Sequence, residues 1–256
     1  MILLNRVLVW LSAAAVLVTL EFLLRVATLY QLLIAAAVLN AIVILSIWQF
    51  TGRQLRKAAF WNFIITPFLL VNSGLAFLVF LEGESTKQLV TMITTISVWI
   101  FLKVTFLYFF FRPKYEPHTL ENISSYLNLV AVFLFSSSVF NFIILLQVPA
   151  WQGAIGSMMV IGLLSYQLFW IGDLGFRTQW RTLAVITLVT GELFLAVSFL
   201  PTSVYVNGLL MTLGYYTMTG LARNWLLNIR ERRVVARYLL ISFSILVIML
   251  LTAKWL

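Results

Sequence analysis

The chain has 256 residues, of which 62% are hydrophobic and 10% charged, and its mean hydropathy is +1.04. Soluble domains carry about 45–50% apolar and about 25% charged residues, so this composition excludes a water-soluble fold and requires lipid as solvent. Cysteine is absent and His118 is the only histidine, which removes disulfides and thiolate sites and argues against bis-histidine haem or histidine-rich zinc centres. The net charge of +9 does not point to nucleic acid, because the basic residues fall in short turns between apolar runs.

A membrane span takes about 20 mostly apolar residues. The first such run is 7–24. Arg6 and Ala13–Ala15 have the outline of a signal peptide, but the apolar run continues through Val16, Leu17 and Val18, so a retained span is expected. Glu21 and Arg25 form an i,i+4 pair in the favourable order near its end. The second run, 29–50, follows after four residues, which predicts a tight antiparallel hairpin. The third, 58–81, holds Pro67 and Asn72, and Glu82 and Glu84 flank Gly83 just beyond it. The fourth, 89–111, contains Lys103. A loop with Pro113, Pro117 and His118 leads to the fifth, 123–146, where Thr119 is the expected N-cap and Glu121 lies in the first turn. Mid-span, the fifth run carries Ser136–Ser138 and Asn141.

The sixth run, 154–171, is rich in small residues and ends before Asp173. The seventh, 183–200, contains Thr190, Gly191 and Glu192, and only Pro201–Ser203 separate it from the eighth, 204–221. Residues 222–237 are the most basic segment. Tested as a helix at 100° per residue, it shows no clean apolar face, because Leu226 falls beside Arg233. The ninth run is 238–256. The sequence thus predicts an all-α polytopic bundle of about nine spans, eight to ten, forming one integral membrane domain over 1–256 with no soluble domain.

Lysine and arginine give the orientation. With the N-terminus in the cytoplasm, thirteen of the seventeen fall on the inner side and only Arg25, Lys87 and Lys254 on the outer, Lys103 lying within a span. Tryptophan agrees: eight of nine stand near predicted span ends, and only Trp99 is mid-span. Nine spans put the C-terminus outside, in a bacterial plasma membrane.

Charges inside a membrane are costly and usually face protein or water. Glu192 and Lys103 are nine and eight residues from the predicted inner ends of their spans, a similar depth that makes an ion pair conceivable, with Thr190, Asn72 or Asn141 completing its hydrogen bonds. Glu82 and Glu84 are outer acidic candidates whose simplest reading is a solvated turn. Arg230, Arg232, Arg233 and Arg237 are placed to meet anionic lipid headgroups. No catalytic set, metal site or cofactor is expected, and the expected partner is the bilayer. Three functions compete. A carrier or channel for a small solute or lipid, using Pro67 and Gly191 as helix interruptions, comes first. A non-catalytic accessory or assembly subunit comes second, and a lipid-linked-substrate enzyme third.

Overall fold

The computed structural model describes residues 2–25, 28–111, 115–116, 118–173, 176–229 and 231–252. The side chains of Arg25 and Arg177 lie outside the described set, as do Arg112, Lys114, Arg230, Lys254 and Trp255; the Glu21–Arg25 pair therefore does too. Continuous apolar runs without alternation close every backbone hydrogen bond within the segment, and the described residues accordingly form helices and no strand. In chain order they are α1 (Ile2–Arg25), α2 (Leu29–Phe50), α3 (Ala58–Val79), α4 (Glu84–Phe110), α5 (Thr119–Leu146), α6 (Ala150–Ile171), α7 (Phe176–Ser198), α8 (Val204–Leu226) and α9 (Arg232–Thr252).

Eight of these, α1–α7 and α9, are long and apolar enough to cross a membrane. The chain is an all-helical, multi-pass membrane protein. α8 matches the others in length, but Asn207, three tyrosines, three threonines and three glycines dilute its apolar content. Large apolar side chains such as Leu33, Leu45, Met159, Leu240 and Phe243 are exposed, the expected state of a surface solvated by lipid.

Several helices begin earlier than the apolar runs that predicted them. α7 starts at Phe176 rather than 183, α9 at Arg232 rather than 238, and α4 at Glu84 rather than 89. The backbone stays helical beyond the hydrocarbon because polar side chains suit an interfacial turn as well as apolar ones suit the core. Helix ends are set by left-handed residues that are mostly not glycine. After α2, Gly52 and Arg53 have φ of 75° and 62°, and the Arg53 N–H donates to the Trp48 carbonyl at 2.9 Å. After α8, Asn228 has φ 58° and the Ile229 N–H donates to the Asn224 carbonyl at 2.9 Å. This break is why 222–237 shows no amphipathic face: it belongs to two helices. Pro67 and Gly191 both lie inside unbroken helices, so neither interrupts its span.

The chain divides into two units, Met1–Ala131 and Val132–Leu256, the division falling within α5. In the first, α1 packs on α2 and α4, and α3 also packs on α2 and α4. In the second, α7 lies between α6 and α8, and α8 also packs on α9.

Both units use interhelical hydrogen bonds and close approach at glycine, as at Gly74 against Thr94 in the first and Gln179 with the Phe169 carbonyl in the second. The first has hydrogen bonds between helices at Asn5 with Gln49 at 3.2 Å, Ser12 with Ser46 at 2.8 Å, Asn40 with Asn72, and Thr66 with Asn128 at 2.9 Å. Each such bond contributes about 0.6 kcal/mol, at most about 1.7. In the second, glycine brings helices close. A Cβ on Gly153 would stand 2.8 Å from Phe194 Cζ and 2.9 Å from Val139 Cγ1, and the Phe194 ring stacks on Phe140 at 4.7 Å with a 7° interplanar angle.

Candidate functional site

The sequence candidates separate into three environments. Asn72 is half-buried and paired: its Nδ2 donates to Asn40 Oδ1 at 2.8 Å while Asn40 Nδ2 donates back to Asn72 Oδ1 at 3.1 Å. The amides satisfy each other, so Asn72 is a rung between α2 and α3 rather than a free polar group. Thr190 is fully buried and its hydroxyl donates to the Ile186 carbonyl one turn back at 2.7 Å. Asn141 is buried and donates to the Ser137 carbonyl at 2.9 Å. Both bonds stay within their own helix.

Glu192 and Lys103 are exposed, and they lie in different units. Because α7 begins at Phe176, Glu192 stands 16 residues from its start and six from its end at Ser198. Lys103 stands seven residues before the end of α4. At about 1.5 Å per residue, Glu192 is roughly 24 Å along its helix from Phe176 and about 14 Å past the start of the apolar run at 183. Glu192 sits in an exposed apolar stripe of α7 with Val185, Leu188, Val189 and Leu195.

Lys103 has a defined setting. Its Nζ is drawn back along α4 onto the face of Trp99, 4.6 Å from the ring centroid. The Trp99 ring meets Trp10 of α1 at 5.1 Å. Beside them opens a cavity of about 270 Å³ lined by Arg6, Val9, Trp10, Trp99, Lys103, Phe106, Leu107 and Phe111. Residues early in α1 thus meet residues late in α4, and two cations share an otherwise apolar and aromatic lining.

The remaining candidates lie at helix ends. Glu82 and Glu84 are exposed in the turn before α4 and its first residue. Asp173 is exposed with φ 52° in the turn after α6. Arg232, Arg233 and Arg237 are exposed in the first two turns of α9, and Arg230 lies outside the described residues. Thr119 is the first residue of α5 rather than its cap. His118 precedes it with φ 65°, and its Nδ1 lies 3.0 Å from Oε2 of the buried Glu121. Tyr115 completes this end: its phenol oxygen accepts from the Leu120 N–H at 3.1 Å. Burial, above all, raises the Tyr115 phenol above its ordinary value; the Leu120 bond opposes this, while Tyr108 and Glu121 add to it.

Sequence reasoning missed Asn40, Asn5, Gln49 and the cavity role of Arg6 and Trp10. The one signal available was spacing: Asn5 and Ser12 are seven residues apart, hence on one face of α1.

A family model described as "Protein of unknown function (DUF5656)" matches residues 5–252, so the chain belongs to that family. No curated protein and no solved structure matches the chain.

Proposed function

We propose that this DUF5656 member is a carrier or channel for a small solute or lipid, binding it in the cavity between α1 and α4. One observation carries the reading: an intramembrane lysine borders an open cavity within a span and meets no acid among the described residues. A charged side chain within a span is rare and usually faces protein or a cavity, and a cation–π contact returns roughly 0.5–2 kcal/mol. Structural need alone is met more cheaply by an apolar residue at position 103. In this reading the N-terminal end of α1 faces the cytoplasm of a bacterial cell, supported by the thirteen-to-three division of basic residues. Arg232, Arg233 and Arg237, with Arg230, then meet anionic headgroups of the inner leaflet.

The test is transport by purified protein in liposomes, read as scrambling of chain-labelled lipids and as efflux of trapped small solutes. The expected result is movement above protein-free vesicles that falls in Lys103→Met and persists in Lys57→Gln. Movement equal to that of empty vesicles for every probe, with folded protein, sinks the carrier reading.

A second reading, an accessory subunit, has its own observation in Glu192. A carboxyl within an exposed apolar stripe is unfavourable against lipid and is relieved by a polar group from another membrane protein. It predicts one partner retained in mild detergent and released by Glu192→Leu.

A further inference from the structure

Arg6 and Lys103 border one cavity, and neither meets an acidic side chain among the described residues. The rest of the lining is Val9, Phe106, Leu107, Phe111 and the two tryptophans. Arg6 lies four residues inside the start of α1 and Lys103 seven inside the end of α4, roughly 6 and 10 Å at helical rise. That is the depth of a headgroup and the first carbons below it, not of the bilayer centre. The volume of about 270 Å³ falls below the about 300–1,000 Å³ that encloses a drug-sized ligand. A ligand with most of its mass elsewhere fits such a space.

We infer that the α1–α4 cavity is a binding site for one anionic lipid, its phosphate held between Arg6 and Lys103 and the start of its chain against Val9, Phe106, Leu107 and Phe111. The phosphate supplies the negative charge that both cations lack, and guanidinium binds phosphate oxygens in a two-pronged fashion. Trp99, whose face already holds the Lys103 amine, fixes that amine toward the cavity. The chain carbons cover the apolar walls and continue into the bilayer. A free phosphate would give up its hydration against those walls with nothing in return. The inference deepens the carrier reading by naming the ligand class, and rests on the same cavity.

The experiment is native mass spectrometry of the intact chain in detergent, titrated separately with phosphatidylglycerol, phosphatidylcholine and glycerol phosphate. One phosphatidylglycerol should remain bound in preference to phosphatidylcholine, and glycerol phosphate should not displace it. Lys103→Gln and Arg6→Gln should each lower that preference roughly fivefold. Lys103→Arg, which keeps the charge, and Lys57→Gln, which lies elsewhere, should retain it. Equal binding of the two lipids, an unchanged preference in both glutamine variants, or displacement by glycerol phosphate at similar concentration overturns the assignment. The two readings fail separately. Selective binding without transport keeps the lipid site and removes the carrier; transport without headgroup preference keeps the carrier and removes the lipid site.

Discussion

Asn40 and Asn72 exchange hydrogen bonds in both directions across the half-buried seam between α2 and α3, and deleting one amide leaves the other only its bond to its own helix, to the Ala36 or Phe68 carbonyl. A double-mutant cycle with Asn40→Ala and Asn72→Ala, read by unfolding in detergent, should return a coupling of about 0.6 kcal/mol and no more than about 1.7. Tyr115 offers a second measurement. Between its ordinary value of 10.0 and its raised one, the folded protein keeps a proton that the unfolded chain has released. Stability contributed by the neutral phenol is therefore complete below that window and lost as pH rises through it. Melting temperatures taken at about pH 9 and about pH 11 should fall more for the parent than for Tyr115→Phe. At this scale the sequence marked which residues are expensive in a membrane, such as Asn72, Lys103 and Glu192. It could not mark their partners, because Asn40 and Trp10 become neighbours only once helices are assigned to each other.

Among elements, the second unit depends on backbones coming close. Gly153→Val should destabilise it by about 1–3 kcal/mol through collision with Phe194 and Val139. Gly156→Ala is the contrast: its Cβ would meet only Phe135 Cζ at 3.7 Å, and removing a helical glycine stabilises by about 0.5–1 kcal/mol. Thermal unfolding of the two variants should move in opposite directions. Apolar runs located every helix, since length and hydropathy are local properties. They placed several starts too late, because helix continues into the interfacial layer, and they ended the eighth run at 221 rather than 226, where the left-handed residue that follows is Asn228 and not a glycine.

At the scale of the whole molecule, the class of protein was legible from composition, since no arrangement in water hides that much apolar surface. Short turns made the α1–α2 and α7–α8 hairpins legible as well, but the other helix neighbours within each unit were not, because lipid-facing and protein-facing sides of a span are equally apolar and periodicity carries little information. Topology turns on α8, which has the length of a span without its apolarity. We expect it to cross. A reporter fused after α9 should then read on the side opposite the N-terminus, and a same-side signal would count for an even number of crossings.

The composition of α8 has a consequence for biogenesis. Its glycines receive Ser137 from α5, Leu193 from α7 and Tyr238 from α9, at Gly208, Gly214 and Gly220 respectively. Two of those neighbours are synthesised before α8 and one after it. A segment this polar gains little by entering lipid alone, so its integration waits on surfaces that earlier and later helices provide. A protease site placed within α8 should therefore stay cleavable in nascent chains ending after α8, and become protected once α9 has emerged. The order of insertion, and not only the final packing, is written into the spacing of three glycines.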